Sequence, residues 1–362
     1  MEVDFLIIGQ GISGTVLAQT LELKSQSYFI IDDNMKNTSS KIAAGIMHPV
    51  SFKRCILSWR GTEFFEFSQK FYLNLDKSQN TKHFKKINLT RLFSSYEEQN
   101  DWIGKSGSSI YSALLSDKEK KFKTINNDFG NGEVKKCGHL NVKEFLKTSK
   151  DYFKTKEKII TKRFLIKELK YDGKFFNYQG VIAKNIIMCQ GAHRLNNKLF
   201  GYLPIIANKG ELIDIKTKNL PQHMLSKGVF SLPKEKDVFT IGSTYSHIDT
   251  YEGITTEAKA KLIKYLEKIS SINDLKIIDQ KYGFRPTTID RKPIIGPHPT
   301  IKNMYVFNGM GSKAVLMAPL LAKELTEHIL DKKPLNENVN SNRFMKKYLS
   351  EYYQFAKKFM KF

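Results

Sequence analysis

A glycine-rich turn near the start of the sequence has the spacing of a phosphate-binding loop. Gly9, Gly11 and Gly14 follow the apolar residues 3–8, and a helical pattern comes next. In such a turn the first glycine permits the tight bend, the second lets the backbone approach a pyrophosphate, and the third lets the helix pack on the strand. A second apolar run ends at Asp32, where a carboxylate accepts hydrogen bonds from ribose hydroxyls. This context favours a dinucleotide site over an accidental glycine-rich turn.

Four later stretches carry further glycine-containing motifs. They are residues 39–49 (SSKIAAGIMHP), 186–192 (IIMCQGA), 283–296 (GFRPTTIDRKPIIG) and 308–313 (NGMGSK). Together with the first turn, they resemble the D-amino-acid oxidase superfamily of FAD-dependent oxidoreductases, which includes glycine oxidase and sarcosine oxidase. The resemblance runs from residue 3 to about residue 330, and the last two stretches are its most specific part.

The resemblance implies FAD as the cofactor. The turn at 309–311 would bring backbone N–H groups and a helix N-terminus near the flavin pyrimidine ring, where this dipole stabilises the negative charge of the reduced flavin. Covalently flavinylated members use a cysteine late in the chain; because no cysteine follows Cys189, we expect non-covalent FAD. The implied cofactor-binding residues are Gly9, Gly11, Ile12, Ser13, Gly14, Asp32, Asp33, Ser40, Ala43, Ala44, Gly45, Met47, Gly191, Arg285, Gly309, Gly311, Ser312 and Lys313.

Three side chains form the predicted catalytic set: Arg285, Tyr245 and His48. In the family, the arginine that matches Arg285 holds a substrate carboxylate beside the flavin; a structural salt bridge is the alternative. Tyr245 follows a strand that the family uses as a substrate-facing wall, so its hydroxyl would donate to the substrate or its ring would lie against it. His48 lies close to the flavin by analogy, as a catalytic group or as a structural histidine. Phe230, on the neighbouring strand, faces the site or packs in the core.

Two departures from the family pattern bear on the substrate. Ala314 stands where a glycine is often found, and Lys313 occupies a position that is commonly small or polar. The Gly-Ser-Lys sequence is similar to the FAD-dependent half of the bifunctional enzyme that trims a carboxymethylaminomethyl group on tRNA wobble uridine, although no methyltransferase half is fused here. Arg54 and Trp59 either belong to the site or brace it.

Three functional hypotheses follow. The first is an FAD-dependent oxidoreductase that removes two electrons from the C–N bond of a small amino acid or N-substituted glycine, by hydride transfer to flavin and hydrolysis of the resulting imine. The second is a tRNA-modifying oxidase that acts on a carboxymethylaminomethyl-uridine side chain. The third is a flavin-binding protein without turnover. The flavin supplies the difficult chemistry in the first two, and the sequence contains no Ser-His-Asp triad or metal cluster.

The charge has two interpretations. Lys and Arg number 59 against 36 acidic residues, a formal net charge of +23. This excess is typical of a polyanion-binding protein. However, only eight of the 59 are arginines, the residue favoured for bidentate phosphate recognition, and the lysines are spread along the whole chain, as in an AT-rich genome. A tRNA partner and compositional drift both remain open.

The order of the predicted strands and helices indicates two interleaved domains of α/β class (α+β, two-domain). A Rossmann-like FAD-binding domain would use residues 1–56, 137–205 and 281–331, and an antiparallel-sheet substrate domain would use residues 57–136 and 206–280. Helices are predicted over residues 56–75, 142–155, 255–270 and 312–330. Strands are predicted over residues 164–169, 175–178, 183–189, 211–215, 229–232, 238–241 and 304–307.

The C-terminal residues 332–362 are predicted as a basic aromatic helix outside the family match. Its aromatic stripe, at spacings of three and four, consists of Phe344, Tyr348, Tyr352, Phe355, Phe359 and Phe362. Such a helix docks on its own protein or touches RNA, a membrane surface or a second subunit. The three cysteines are too few and too far apart for a disulfide framework, no apolar run is long enough to span a membrane, and no signal-like segment precedes the first strand. A cytoplasmic protein is expected, and its oligomeric state is open.

Overall fold

The computed structural model describes residues 1–52, 55–192 and 199–351. The chain forms two compact units and changes from one to the other at four points. Unit 1 comprises Met1–Ala43, Val142–Asn208 and the described residues from Phe284 onward; unit 2 comprises Ala44–Asn141 and Lys209–Gly283.

The α-helices within the described residues are α1 Ile12–Leu23, α2 Ser39–Ile42, α3 Gly61–Gln79, α4 Tyr96–Ser106, α5 Val142–Thr155, α6 Thr256–Glu267, α7 Ala314–Asp331 and α8 Met345–Glu351. Single 3-10 turns occur at Ile166–Glu168, Gly311–Lys313 and Ser341–Phe344.

The strands within the same residues are β1 Glu2–Ile8, β2 Tyr28–Asp32, β3 Ile46–Met47, β4 Val50–Ser51, β5 Ile56–Leu57, β6 Phe84–Lys86, β7 Leu89–Leu92, β8 Leu115–Ser116, β9 Asn131–Val134, β10 Gly138–Leu140, β11 Ile159–Thr161, β12 Leu169–Tyr171, β13 Phe176–Tyr178, β14 Val181–Met188, β15 Ile205–Lys216, β16 Met224–Lys227, β17 Val229–Glu235, β18 Val238–Gly242, β19 Lys276–Thr288, β20 Ile294–Pro297 and β21 Met304–Asn308.

Unit 1 is built on a mainly parallel sheet. Strands β11, β2, β1, β14 and β21 lie side by side in this order, and each neighbouring pair is parallel. The hairpin of β12 and β13 pairs antiparallel with the first half of β14, and β20 pairs antiparallel with β21. A parallel sheet is covered on both faces, so its strands read as continuous apolar runs. This accounts for residues 5–8 of β1, all of which are buried.

Helix α5 shows how the sequence pattern sets the packing of unit 1. Its buried positions are Val142, Phe145, Leu146, Ser149 and Phe153, spaced by three or four residues, so they share one face of the helix. Lys143, Lys147 and Lys154, which lie off this face, are exposed. Helices α1 and α7 contact each other, and both are mostly buried. Pro319 lies inside α7 without ending it.

Most residues of the larger mainly antiparallel sheet belong to unit 2. Its order is β19-β15-β18-β17-β16-β7-β9-β8. The predicted antiparallel character is found in the β15–β18–β17–β16 and β7–β9–β8 pairings, but β16 and β7 are parallel. A three-stranded sheet of β3, β10 and β6 and the hairpin of β4 and β5 complete the unit. The mixed α/β class with a Rossmann-like sheet is as predicted.

Two predicted elements differ from the structure. The aromatic-rich helix α3 begins at Gly61 rather than at residue 56, because residues 56–57 form β5. A Cβ at Gly61 would lie 2.6 Å from the carbonyl oxygen of Pro49, so glycine permits this close start. The strand predicted over 164–169 is a 3-10 turn at Ile166–Glu168, and only Leu169 enters β12.

The unit boundaries also differ from the predicted domain limits. Residues 44–56, predicted in the FAD-binding domain, group with unit 2, except that residues 53–54 lie outside the described part. Residues 332–351, predicted as a separate helix, group with unit 1. There the Tyr348 ring is buried, and its hydroxyl and Thr300 Oγ1 are 2.7 Å apart in a hydrogen bond. Phe344 and Met345 pack on the same core. Tyr352, Phe355, Phe359 and Phe362 lie outside the described residues.

No helix in the described ranges combines the length and the apolarity that crossing a membrane requires.

Candidate functional site

The glycine turn joins β1 to α1 in unit 1. Gly9 has a φ of +105°, and a Cβ there would lie 2.6 Å from the carbonyl oxygen of Cys189. At Gly14 a Cβ would lie 1.9 Å from the carbonyl oxygen of Gly9, so this glycine lets the helix pack onto the turn. At Gly11 the nearest atom to a Cβ would be Ser40 Oγ, at 3.2 Å. The three glycines therefore play different roles: the outer two allow the backbone to close, and the middle one faces a side chain.

Asp32 is fixed beside this turn by the backbone. Its Oδ1 accepts a hydrogen bond from the backbone amide of Gln10 at 2.9 Å, and its Oδ2 accepts one from the backbone amide of Asn34 at 2.9 Å. The carboxylate stands at the end of β2, where the sequence predicts a ribose contact. Asp33 is the next residue in the chain and is partly buried.

The N-terminus of α1 presents backbone donors next to α2. The Ile12 amide donates to Ser40 Oγ at 3.1 Å, and Gly11, the residue before the helix, provides no side-chain cap. Ser13 is partly buried in the first turn of α1, and Ala43, just after α2, is exposed. Backbone donors at a helix N-terminus suit an anion, so the predicted pyrophosphate contact would find its donors here.

Four predicted site residues, Ala44, Gly45, Met47 and His48, group with unit 2. The Gly45 carbonyl accepts a hydrogen bond from the Leu140 amide at 2.9 Å, and Met47 is buried in β3. The His48 ring stacks on Phe52 with 4.6 Å between the ring centroids. Their roles near the flavin stay predictions.

The turn after β14, which contains Gly191, and the turn after β21, which contains Gly309, contact each other. Asn308 Nδ2 donates to the Gly191 carbonyl at 3.0 Å, and Asn308 Oδ1 accepts from the Gly309 amide at 2.9 Å. Gly309 has a φ of +78°, and a Cβ there would lie 2.8 Å from Thr288 Cγ2. Buried Asn308 thus joins the end of β21 to the turn after β14.

The stretch that begins with Gly311 leads into α7. Gly311, exposed Ser312 and Lys313 form a 3-10 turn directly before the helix. Burial lowers the pKa of the Lys313 ammonium from 10.5 to about 8. Lys313 is therefore a partly buried cation at the start of α7 at neutral pH, and it loses its charge within the mildly alkaline range.

Lys313 makes the stability depend on alkaline pH. Between pH 8 and 10.5 the unfolded chain keeps this proton while the folded chain has released it, so the free energy of unfolding increases with pH across this window. In Lys313→Met this contribution should be absent. Urea unfolding of both proteins at several pH values from 7 to 10.5 measures it; parallel pH profiles for the two proteins would contradict the prediction.

Arg285 lies on β19 in unit 1 and is partly buried. Its Nη1 donates to Asn208 Oδ1 at 3.1 Å. Phe284, its neighbour, forms an isolated parallel bridge with Thr38 just ahead of α2. The Arg285 guanidinium is therefore oriented by the side-chain amide of Asn208. The two neighbours of Arg285 in the chain, Phe284 and Pro286, belong to unit 1, which also carries the glycine turns.

Tyr245 lies in unit 2, in the loop after β18, and 58% of its surface is exposed. This loop is attached to β15: Lys209 and Ser246 form a pair of backbone hydrogen bonds of 2.9 and 3.0 Å, and buried Lys209 Nζ donates to Asp249 Oδ2 at 2.8 Å. Phe230, on β17, is partly buried against the core of unit 2. Trp59 lies 5.6 Å from Phe64 between ring centroids, whereas Arg54 is outside the described residues.

The geometry of unit 1 fits FAD at the predicted place. A Cβ at Gly11 would meet Ser40, the first amide of α1 donates to the hydroxyl of that serine, and a carboxylate is held at the end of the adjacent strand. A pyrophosphate needs the first two features, and a ribose needs the third. Ser40, Gly11, Ile12 and Asp32 would hold the cofactor.

Sequence reasoning missed Gln10, Asn208 and Asn308 as supporting residues. Gln10 orients Asp32 through its amide, and its side chain donates to the Leu146 carbonyl at 3.0 Å. Asn208 and Arg285 are 77 positions apart in the chain. The glutamine sits inside the glycine pattern as an unspecified residue, and no spacing rule relates residues so far apart.

The parallel sheet with its glycine turn and terminal carboxylate defines a Rossmann-type dinucleotide-binding protein. Within this class, the family model of FAD-dependent oxidoreductases named DAO matches residues 4–328. The chain belongs to this family, and its cofactor is FAD.

Individual relatives are distant. Glycine oxidase of Pseudomonas aeruginosa is 26% identical over 136 residues, which cover 37% of each chain. The bifunctional tRNA 5-methylaminomethyl-2-thiouridine biosynthesis protein MnmC of Leptospira interrogans is 24% identical over 90% of this chain and 57% of its own. The chain therefore matches only between a third and three fifths of the length of these relatives. The crystal structure of glycine oxidase from Bacillus cereus has the same fold, with a TM-score of 0.76 and 15% identity over 92% of this chain and 96% of that one.

Proposed function

We propose that this protein oxidises the C–N bond of a small amine that carries a carboxylate, such as an amino acid or an N-substituted glycine. The observation that carries the proposal is the position of Arg285 in unit 1, with its guanidinium held by Asn208 at 3.1 Å. An oriented guanidinium binds a carboxylate through two parallel hydrogen bonds. Membership of the FAD-dependent oxidoreductase family supports the redox part of the proposal.

The residues of the chain would orient the substrate, and FAD, when bound, accepts the two electrons removed from the C–N bond. Arg285 fixes the carboxylate end, so the carbon next to the amine is presented in one orientation. Fixing a reacting group in this way reduces the entropy that the reaction itself must overcome. Water then hydrolyses the resulting imine to a carbonyl compound and ammonia, or an amine where the nitrogen is substituted. We propose that Tyr245 and His48 also contact the substrate or the flavin.

A second candidate is the oxidation of a tRNA side chain that ends in a glycine-like carboxylate. Two observations favour it: the likeness to the MnmC protein covers 90% of this chain, and the net charge is +23. Arg285 suits this substrate equally well, because its reacting end has the same carboxylate. The two candidates differ in what binds the rest of the substrate, and only the second requires a polyanion surface.

Anaerobic titration of the yellow protein separates the candidates. Glycine, N-methylglycine, D-amino acids and undermodified tRNA are each added, and loss of the visible flavin absorbance reports reduction. We expect a small amine with a carboxylate to reduce the flavin. Reduction by tRNA alone, with binding that weakens steeply as salt is raised, would establish the second candidate instead. A flavin that no substrate reduces would contradict both.

A further inference from the structure

Lys150, on α5, points its ammonium at the end of β2 in unit 1. Lys150 Nζ lies 3.6 Å from Asp32 Oδ2, and only 12% of the lysine side chain is exposed. Nζ itself is buried and has no hydrogen-bond partner among the residues that the structure describes. A buried cation thus stands next to the predicted ribose-binding carboxylate, beyond hydrogen-bond distance of it.

Lys41, which lies in the same part of unit 1, is a lysine whose ammonium makes its full set of hydrogen bonds. Its Nζ donates to the Met35 carbonyl at 2.6 Å, to Asn34 Oδ1 at 3.0 Å and to the Asn34 carbonyl at 3.2 Å. All three of its donors therefore have acceptors, even though burial lowers its pKa and Lys150 adds to this effect. Lys150 has the same three donors but only an ion pair with Asp32 at 3.6 Å, and no hydrogen bond among the described residues.

A buried ammonium without acceptors is costly, because it has lost hydrogen bonds to water without replacing them. The site in which Lys150 lies is the one where Asp32 is oriented by the Gln10 and Asn34 amides. A ribose bound to Asp32 brings hydroxyl oxygens to this position, and each oxygen still has lone pairs to accept a hydrogen bond. The missing acceptor and the expected ligand therefore coincide.

We propose that Lys150 is a further cofactor-binding residue, whose ammonium donates a hydrogen bond to an oxygen of the adenosine part of FAD beside Asp32. The inference rests on the FAD assignment and on the role of Asp32, and it is independent of the substrate. Lys150 reaches the site from α5, which Gln10 Nε2 also ties to the glycine turn through the Leu146 carbonyl. The cofactor would thus be held by the first strand-turn-helix segment and by a helix more than a hundred residues later.

The test compares Lys150→Met with Lys147→Met in the full chain. Lys147 lies one turn earlier on α5, is 68% exposed and forms an ion pair with Glu144 at 3.6 Å, so its replacement controls for the loss of one lysine. Two quantities are measured: the Kd for FAD, from flavin fluorescence after removal of bound flavin, and the Tm of the flavin-free chain. A charge-assisted hydrogen bond predicts about a tenfold or larger rise in Kd for Lys150→Met and no change for Lys147→Met.

The Tm of the flavin-free chain distinguishes a ligand contact from a structural one. If Lys150 gains a hydrogen-bond acceptor only when FAD binds, its replacement leaves this Tm unchanged or raises it. The reason is that a buried cation without a hydrogen bond has been removed. An unchanged Kd would overturn the proposal, and so would a higher Kd accompanied by a lower flavin-free Tm. Lys150→Arg keeps a cationic donor and should bind FAD more tightly than Lys150→Met. Neither quantity depends on turnover, so a wrong substrate assignment would not affect the result.

Discussion

Replacing Arg285 with alanine is expected to lower kcat/KM by about a hundredfold or more for a substrate that carries a carboxylate. Truncating one partner of a desolvated, hydrogen-bonded ion pair typically costs about 2–5 kcal/mol, and 1.4 kcal/mol corresponds to a factor of ten. Arg285 is partly buried, and Asn208 already orients its guanidinium. In the parent protein the arginine–carboxylate pair therefore forms without a cost for ordering the arginine side chain. Removing that side chain should remove almost all of the binding energy of the pair.

Steady-state kinetics with the substrate found by anaerobic titration measure this effect. Arg291→Ala is the matched control, because Arg291 is an exposed arginine in the turn just after the same strand. Arg285→Lys keeps the charge and loses the forked geometry, so an intermediate activity is expected. For an amine substrate without a carboxylate, the parent and Arg285→Ala should react at similar rates. If the Arg285→Ala protein turns over every substrate as the parent does, Arg285 does not bind the substrate carboxylate.

Replacing Gly14 with alanine is expected to disrupt the first strand-turn-helix segment and with it FAD binding. The new Cβ would lie 1.9 Å from the carbonyl oxygen of Gly9, a backbone atom that cannot rotate away. Forcing extra volume into a packed interior costs about 1–3 kcal/mol and occasionally more, and here the backbone of the turn itself must move. We expect the free energy of unfolding to fall by about 3 kcal/mol and the purified protein to be colourless.

Gly11→Val separates the effect on the cofactor from the effect on folding. Gly11 has a φ of −72°, which any residue adopts, and the nearest atom to its Cβ would be the Ser40 hydroxyl at 3.2 Å. The variant should unfold at nearly the same urea concentration as the flavin-free parent but purify without FAD, because the side chain takes the place of the pyrophosphate. Urea unfolding curves and flavin absorbance measure the pair. A fully yellow Gly11→Val protein would contradict the placement of the pyrophosphate.

The parts of the fold that the sequence predicts well are those whose cause is local. Helix α5 has the predicted bounds of 142 and 155 because its apolar residues recur at helical spacing with lysines between them. The glycine turn is recognisable because its three glycines, strand and helix are contiguous. The same locality explains a failure: residues 164–169 are apolar enough for a strand, yet the chain turns at Ile166–Glu168.

The parts that the sequence does not reveal depend on contacts between distant segments. Asn208 supports Arg285 across 77 residues, and Lys150 approaches Asp32 across more than a hundred. Each of these residues is unremarkable in its own neighbourhood. The grouping of residues 44–48 with unit 2 has the same origin, since the Gly45 carbonyl and Met47 pair with residues of β10. The motif around them identifies their type but not the partner strand.

The strand order of unit 1 has a consequence for biosynthesis. β1 pairs with β2 soon after both leave the ribosome, but its other neighbour, β14, ends at Met188, and the sheet is completed only by β21, which ends at Asn308. From the end of β1 at Ile8 to the end of β14 at Met188 there are 180 residues (188 − 8), which take about 9–36 s to translate at about 5–20 residues per second. During this interval one edge of an almost wholly apolar strand has no partner, and such an edge is prone to intermolecular pairing. Production of the protein should therefore respond to the supply of chaperones that bind nascent chains and to translation at lower temperature, even when the finished fold is stable.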